Sequence, residues 1–390
     1  MNKNLLSSKE EFIKERNELL KEMQSYPLEM KVSFTKSRIR EFVRKENAYF
    51  SFSGGKDSEV LVYLGAQTLK ELGYSEMHVA YVNTGLEYLS VRKFVKTFCD
   101  YVEEHVGIRI ILHELSPEMN FFSVLSEEGY PVISKEVSQC IREARYGLAN
   151  GDGTYSYRLE KLNGTHKDKN GNLSAYNMPQ YKFLLDAPFM ISEKCCNITK
   201  KDPAKQFEEK TGCAPIMATM ACESRLRRSK WINNGCNIFN GERPNSCPMS
   251  FWLTNDVLEY IYKNNLPIAS AYGSIVAESE IEGQMDILSY LGAYEGCKYC
   301  TTGCDRTGCI FCLFGITQDP ERILRLQKME PKRADYVLGG GEIGKDGLWK
   351  PTKKGLGYWF VLDYLKKFGN IDIPYKGVYG NFKQKMEGII

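Results

Sequence analysis

A glycine-rich segment near the start of the chain combines residue types that suit a phosphate group. It reads Ser53-Gly54-Gly55-Lys56-Asp57-Ser58. A glycine pair between a strand and a helix lets the backbone curl, so that N–H groups and the helix dipole both face an anion. The lysine adds a cation, the serines add hydroxyl donors, and the aspartate is placed to meet Mg²⁺ or to cap the helix. We therefore predict that this segment, the glycine loop, binds phosphates, with Lys56 and Asp57 as its reactive side chains.

The cysteines are the second set of residues with chemical potential. The chain has 13 of them, and reduced thiols in a cytosolic protein favour metal ligation over a disulfide framework. Four thiolates suit either Zn²⁺ or an iron-sulfur cluster. Two ligand sets are available: a local set of Cys297, Cys300, Cys309 and Cys312, and a long-range set of Cys195, Cys196, Cys309 and Cys312. Spacing alone slightly favours the local set, because consecutive C-x2-C pairs are typical of zinc sites.

One further cysteine lies in a basic segment. Cys222 is followed by Arg225, Arg227, Arg228 and Lys230. Nearby cations would lower the pKa of its thiol and make it a better nucleophile. A solvated surface would explain such a run of charges equally simply. Cys222 and Cys304 are at least as well explained as ordinary structural cysteines as they are as persulfide carriers.

The composition is that of a soluble globular protein. The hydrophobic fraction is 43%, the charged fraction is 26%, and the formal net charge is +3. This balance argues neither for nor against a nucleic-acid partner. No apolar run is long enough to cross a membrane and no secretory leader is evident, so we expect a cytoplasmic protein without a membrane partner.

Strand and helix signals alternate on both sides of the glycine loop. Strands are expected at 48–52, 77–82 and 109–115, separated by segments with apolar residues at helical spacing. This order predicts an α/β fold, a parallel sheet with helices on both faces. We place an N-terminal helical segment at 1–45, a nucleotide-binding domain at 46–270 and a Cys-rich C-terminal region at 271–390. Residues 150–180 read as a surface insertion or flap.

The loop resembles the signature of the PP-loop superfamily, and later motifs narrow the match to the phosphoadenosine phosphosulfate reductase family. Asn83-Thr84-Gly85 is similar to that family's Asp-Thr-Gly, with Asn83 replacing the acid. Cys195-Cys196 is similar to the paired cysteines of its iron-sulfur members, and the segment 220–227 to its basic substrate-binding stretch. Further matches follow in order at Pro248, Trp252, Asp256-Val257, Tyr260-Ile261 and Leu266-Pro267. The resemblance covers roughly residues 46–315.

This resemblance implies a fold of the adenine nucleotide alpha hydrolase type and an adenine nucleotide, ATP or phosphoadenylyl sulfate, as ligand. It implies that the glycine loop holds the phosphates with Mg²⁺, and that Thr84, Gly85, Arg225 and Arg227 line the same nucleotide site. It also favours the long-range set, Cys195, Cys196, Cys309 and Cys312, as ligands of a [4Fe-4S] cluster, with Zn²⁺ as the alternative.

Three functions fit these features. The first is an ATP-dependent sulfurtransferase, similar to the DNA phosphorothioation enzymes of the family, which would need a sulfur donor and an acceptor such as nucleic acid or a small molecule. The second is a sulfonucleotide reductase, which would need a reductant protein; here no cysteine follows Cys312 to replace the family's C-terminal nucleophile, so Cys222 or Cys304 would have to substitute. The third is a nucleotide and iron sensor without turnover.

Overall fold

The computed structural model describes residues 2–241, 243–277 and 299–388. Its helices are α1 (Asn2–Ser25), α2 (Leu28–Val43), α3 (Lys56–Glu71), α4 (Leu89–Val106), α5 (Phe121–Glu127), α6 (Lys135–Asn150), α7 (Ser156–Asn163), α8 (Asp202–Thr211), α9 (Arg225–Asn234), α10 (Thr254–Lys263), α11 (Arg322–Met329), α12 (Pro331–Leu338), α13 (Tyr358–Gly369) and α14 (Phe382–Glu387). Short 3₁₀ or π-helical segments lie at Pro179–Asp186, Asn197–Lys201, Ala221–Glu223 and Ser270–Tyr272. Among these residues no helix is long and apolar enough to cross a membrane.

The strands are short. They are β1 (Ala48–Ser51), β2 (Glu76–Val82), β3 (Arg109–Leu115), β4 (Val132–Ile133), β5 (Ala214–Ile216), β6 (Asn237–Ile238), β7 (Asn245–Ser246), β8 (Ile275–Ala277), β9 (Tyr299–Thr301), β10 (Leu313–Phe314), β11 (Glu342–Ile343) and β12 (Trp349–Lys350). The described chain divides into two compact units. Unit 1 is 1–83, 87–116 and 203–308, and unit 2 is 84–86, 117–202 and 309–390. These units do not follow the sequence boundaries at 45 and 270, because the chain passes between the units several times.

Unit 1 contains a six-stranded sheet in the order β3-β2-β1-β5-β7-β6. The first five of these strands pair in parallel, and only β6 is antiparallel to its neighbour β7. The central strand β1 is buried at Tyr49 and Phe50 and is in contact with α3, in which Val60, Leu61 and Leu64 are buried. The prediction of an α/β fold with a parallel sheet flanked by helices is therefore confirmed, with an antiparallel edge strand that the sequence did not indicate.

Unit 2 is built around aromatic residues and small strand pairs. β4 pairs in parallel with β10, and β11 pairs antiparallel with β12. Trp349, Tyr358 and Phe360 are buried in its core. Arg145 on α6 donates hydrogen bonds to the carbonyl oxygens of Leu184, Leu185, Ala187 and Phe189. The segment 150–180 is more ordered than its composition suggested, since it contains α7, anchored by the fully buried Leu162.

A buried ion pair joins α2 to α10 within unit 1. The Lys31 ammonium on α2 is 2.6 Å from Asp256 Oδ2, and Lys31 is only 1% exposed. Asp256 Oδ2 also accepts a hydrogen bond from the N–H of Leu253 at 2.6 Å, at the start of α10. The carboxylate therefore serves a buried cation and a helix end at once.

Removing this carboxylate is expected to destabilise the fold strongly. Asp256→Ala leaves the Lys31 ammonium buried without a counter-charge, which costs about 3–5 kcal/mol. Urea unfolding followed by circular dichroism measures this loss. Glu259→Ala, which breaks the partly exposed pair between Lys263 and Glu259 on the same helix, is the control and should cost about 1 kcal/mol or less. Equal losses in the two variants would contradict a special role for the buried pair.

Candidate active site

The glycine loop lies between β1 and α3, as its sequence predicts. Gly54 has φ +70°, a conformation that favours glycine, and a Cβ atom there would lie 2.7 Å from Cγ1 of Val91. Gly55 is the residue immediately before the first helical residue, Lys56. The two glycines therefore let the chain turn tightly into the N-terminus of α3, where the helix dipole favours an anion.

The two loop serines close this turn on itself. Ser53 N–H donates to Ser58 Oγ at 3.1 Å, and the two hydroxyl oxygens are 3.0 Å apart. Ser58 Oγ in turn donates to the carbonyl oxygen of Gly55 at 2.8 Å. Ser58 thus holds the loop shape, while Ser53 Oγ also lies 3.4 Å from the N–H of Gly55.

Lys56 is a buried cation beside the loop. The residue is 5% exposed, its ammonium donates to the carbonyl oxygen of Asp305 at 3.3 Å, and it lies 3.5 Å from Asp57 Oδ1. Burial of an ammonium is unfavourable unless anionic or polar groups face it. A phosphate group at this position would supply such a partner.

A tyrosine and a threonine that the sequence analysis did not select cover the loop. Lys56 N–H donates to the hydroxyl of Tyr272 at 3.2 Å, and that hydroxyl is 2.8 Å from Thr307 Oγ1. A Cβ atom on Gly55 would lie 3.2 Å from the Tyr272 hydroxyl, so this hydroxyl would have to shift by a few tenths of an ångström to admit a side chain here. In the sequence, Thr307 is notable only for its position between the two C-x2-C pairs. That position suggests a metal site and not a nucleotide site.

Two carboxyl groups on the first turn of α3 have buried oxygens without a hydrogen-bond partner among the described residues. Asp57 Oδ1 is one of these oxygens, and it lies 3.5 Å from the Lys56 ammonium. Glu59 is fully buried, and neither of its oxygens has a hydrogen-bond partner in the described structure. Burial raises the pKa of Glu59 well above its usual value, the charge of Asp57 adds to this rise, and Lys56 opposes it. Asp57 therefore fits the predicted Mg²⁺ contact, and Glu59 is a site residue that sequence reasoning missed.

The motif Asn83-Thr84-Gly85 after β2, which contains the predicted nucleotide ligands Thr84 and Gly85, is divided between the two units. Asn83 donates from Nδ2 to Glu114 Oε1 at 2.6 Å within unit 1. Thr84 and Gly85 belong to unit 2, where Thr84 Oγ1 accepts from the N–H of Leu86 and the Gly85 carbonyl oxygen accepts from Arg333. Their role in nucleotide binding stays a prediction.

The two predicted arginine ligands differ in their surroundings. Arg227 forms an ion pair with Glu223, and its pKa is lowered by burial and by the charge of Arg306, while Asp57 of the glycine loop opposes this. Arg227 is therefore within electrostatic range of the loop. Arg225 is exposed at the start of α9.

The expectation that cations activate Cys222 is wrong. The residue is exposed, but its thiol points inward and donates to the carbonyl oxygen of Trp252 at 3.4 Å. Its pKa is raised, first by burial of the thiol and then by the negative charges of Asp57 and Asp256. Arg227 does interact electrostatically with Cys222, but burial of the thiol outweighs this interaction.

The four long-range cysteines all belong to unit 2 and influence one another. The pKa of Cys195 is raised by its hydrogen bond with Cys196, by burial and by the charges of Cys312 and Cys309. The same hydrogen bond, with help from the charges of Lys135 and Lys200, lowers the pKa of Cys196 to about 5. Burial raises the pKa of Cys312 to about 12, and the charge of Cys309 adds to it. The thiols are thus close enough for the charge of one to raise the pKa of another.

The four thiols are the donor atoms that a soft metal centre requires, but the described structure does not arrange them around a common metal position. Four thiols suit zinc or an iron-sulfur cluster, and Phe314 N–H donates to Cys312 Sγ at 3.3 Å, a contact of the kind that stabilises thiolate ligands. Among the described residues, however, no three His, Cys, Asp or Glu side chains form a ready-made metal site. Of the local set, Cys300 lies in unit 1 and Cys297 lies outside the described residues.

Comparison with known proteins gives structural matches only. No protein-family model and no curated protein sequence matches the chain. Among solved structures, it is similar to phosphoadenylyl-sulfate (PAPS) reductase from Candida auris in its phosphate complex, with 12% identity, a TM-score of 0.32 and coverage of 65% of this chain and 88% of that chain. It is also similar to the U34-tRNA thiolase NcsA from Methanococcus maripaludis with its [4Fe-4S] cluster, with 15% identity, a TM-score of 0.32 and coverage of 91% and 92%.

The fold assignment rests on the parallel sheet and the glycine loop described above.

Proposed function

We propose that this chain is a PP-loop enzyme that uses ATP to activate an acceptor oxygen and then replaces that oxygen with sulfur. The arrangement that supports this best is the buried Lys56 ammonium beside the N-terminus of α3, next to an Asp57 oxygen without a hydrogen bond. Lys56 would bind the pyrophosphate part of ATP, and Asp57 would bind its Mg²⁺. A phosphate oxygen would then replace the Tyr272 hydroxyl as the acceptor of the Lys56 N–H.

The reaction has two displacements. The acceptor oxygen attacks the α-phosphorus, the bond from that phosphorus to the bridging oxygen breaks, and pyrophosphate leaves with the charge that Lys56 and the helix N-terminus stabilise. A hydrosulfide donor then forms a bond from its sulfur to the activated carbon or phosphorus. The oxygen leaves with AMP, and the sulfur proton passes to solvent.

Cys195, Cys196, Cys309 and Cys312 would hold the metal centre. A bound [4Fe-4S] cluster would supply iron that binds sulfur, whereas Zn²⁺ in the same four thiols would be structural. Lys135 and Lys200, which already lower the pKa of Cys196, would offset the negative charge of four thiolates.

A sulfonucleotide reductase is less well supported, because it needs a reactive thiol near the nucleotide. Cys222 has a raised pKa, and Cys304 is 4% exposed with its thiol donating to the carbonyl oxygen of Ala271 at 3.0 Å. Neither described cysteine is an activated nucleophile. A sensor without turnover would bind the nucleotide without releasing pyrophosphate.

For the acceptor we propose single-stranded nucleic acid, on the basis of an aromatic strip in unit 2. The strip consists of Tyr146, Tyr155, Tyr157 and His166, with ring centroids 6.1, 6.4 and 6.4 Å apart in that order. Its three tyrosines are 56%, 39% and 39% exposed. Tyr155 has φ +58°, an unusual conformation for a tyrosine, so the local fold holds this exposed ring in place at a cost.

The charge around the aromatic strip also suits a phosphate backbone. Lys167, Lys169 and Lys182 in this segment are exposed. The Arg158 guanidinium, 4.7 Å from the centre of the Tyr157 ring, is instead paired with Glu143 at 2.6 Å. Residues 155–182 contain five Lys or Arg but only two Asp or Glu. Exposed rings interleaved with cations bind unpaired bases by stacking and their phosphates by charge.

Loss of two strip tyrosines is expected to weaken binding of an oligonucleotide. The variant Tyr155→Ala/Tyr157→Ala removes stacking worth about 1–3 kcal/mol for each base, so its Kd should rise by roughly 5-fold or more for each base. Fluorescence anisotropy with a labelled single-stranded RNA or DNA measures the change. Tyr74→Ala, at a tyrosine in unit 1 that is 43% exposed, should leave the Kd unchanged. Equal binding of single strands and duplex, or no effect of the double variant, would refute this acceptor surface.

The activity itself is tested by pyrophosphate release. The anaerobically purified chain is incubated with ATP, Mg²⁺, sulfide and a single-stranded oligonucleotide, and pyrophosphate and oligonucleotide mass are followed. We expect pyrophosphate release that depends on the oligonucleotide, together with a mass gain that corresponds to exchange of oxygen for sulfur. Sulfite release from phosphoadenylyl sulfate without any pyrophosphate from ATP would instead establish the reductase.

A further inference from the structure

Two cysteines that the proposed function does not use lie side by side across a strand pair. β6 and β7 are antiparallel with Asn237 opposite Ser246 and Ile238 opposite Asn245. The next position along this register places Cys236 opposite Cys247, and the N–H of Cys247 donates to the carbonyl oxygen of Cys236 at 2.7 Å. Residues directly opposite in an antiparallel pair present their side chains on the same face.

Both cysteines line one cavity of about 160 Å³ in unit 1. Cys247 is buried, Cys236 is half-buried, and the Thr219 hydroxyl oxygen is 3.1 Å from Cys247 Sγ. Two cations, Arg227 and Lys230, line the same cavity and are exposed, so it opens to solvent on the side of α9. A small molecule that enters this cavity can therefore reach both cysteines.

We propose that Cys236 and Cys247 form a redox-active dithiol, separate from the four candidate metal ligands, whose co-reactant is a small disulfide. The Cys247 thiolate attacks one sulfur of the small disulfide, forming a mixed disulfide and releasing one small thiolate. The Cys236 sulfur, losing its proton to that thiolate, then attacks Cys247 Sγ and displaces the second small thiolate. The protein gives up two electrons and two protons, and the small disulfide becomes two thiols.

The strand register explains why this disulfide would be reversible. Opposite residues of a hydrogen-bonded antiparallel pair have Cα atoms about 5.5 Å apart, within the range that a disulfide spans. Their Cβ atoms, however, are wider apart than an unstrained disulfide prefers. A disulfide here forms without unfolding but is readily reduced, as labile disulfides are.

The dithiol is tested by peptide mapping of the full chain. The anaerobic protein is treated with bis(2-hydroxyethyl) disulfide, quenched in acid, alkylated and digested with a protease that cleaves after Glu242, between the two cysteines. We expect the peptides of Cys236 and Cys247 to be joined before other cysteines react, and dithiothreitol to separate them. Cys236→Ser should stop the reaction at a mixed disulfide on Cys247, whereas Cys213→Ser, at a half-buried cysteine elsewhere in unit 1, should change nothing.

Two results would overturn the dithiol. One is mapping that finds no link between Cys236 and Cys247 while other cysteines are modified. The other is a link that forms as fast in urea as in the native chain, since the reaction would then owe nothing to the strand register. Neither result bears on ATP or the metal, so the dithiol and the proposed function fail independently.

Discussion

Replacing Lys56 by alanine is expected to lower kcat/KM for pyrophosphate release by about 10²–10³-fold, the usual cost of losing one preorganised group that stabilises transition-state charge. The ammonium is buried and lies beside the loop between β1 and α3, so no solvent cation can replace it fully. Steady-state pyrophosphate assays with varied ATP measure kcat and KM separately. Most of the loss should fall on kcat, because the charge on pyrophosphate grows as the bond to the α-phosphorus breaks.

The control for this variant is Lys96→Ala, which removes an exposed lysine on α4 of the same unit. Its kinetics should match those of the unmodified chain. Lys56→Arg is a second test of geometry, because the larger guanidinium must fit a site where lysine is 5% exposed. Unchanged kcat/KM in Lys56→Ala would show that the glycine loop does not bind the nucleotide.

The loop was the part of the site most open to prediction from sequence. Its conformation depends on residues adjacent in the chain, namely Gly54 with positive φ and Gly55 before the helix, and local constraints of this kind leave a local signature. The alternation of strands and helices likewise predicted the parallel sheet, since β1, β2 and β3 follow one another in the chain and pair as neighbours.

The contacts that cover the glycine loop and the burial of its neighbouring acidic residues depend instead on packing between distant parts of the chain. Tyr272 and Thr307 reach Lys56 and Gly55 from more than 200 residues away, and no spacing rule connects them. The buried Glu59 looks like an ordinary polar position of a helix in sequence. For Cys222, counting neighbouring arginines predicted a lowered pKa, whereas burial of the thiol and the charges of Asp57 and Asp256 raise it.

The metal centre is where sequence spacing and family resemblance disagree, and one substitution separates them. If Cys195, Cys196, Cys309 and Cys312 hold the metal, Cys195→Ser should lower bound iron and acid-labile sulfide by at least about tenfold, since a thiolate ligand and its charge are lost together. Metal analysis and the absorbance of the brown cluster measure this. Cys300→Ser should retain the metal.

The control in unit 2 is Cys140→Ser, at a buried cysteine whose thiol lies 3.6 Å from the carbonyl oxygen of Arg158. It tests whether any lost thiol in this unit disturbs the fold enough to release metal. If Cys195→Ser kept its metal while Cys300→Ser lost it, the local set would be the true one, and zinc would be the expected ion. Iron retained in all three variants would exclude both sets, because each contains one of the substituted cysteines. The charge coupling of Cys195 and Cys196 with Cys309 and Cys312 favours the first outcome.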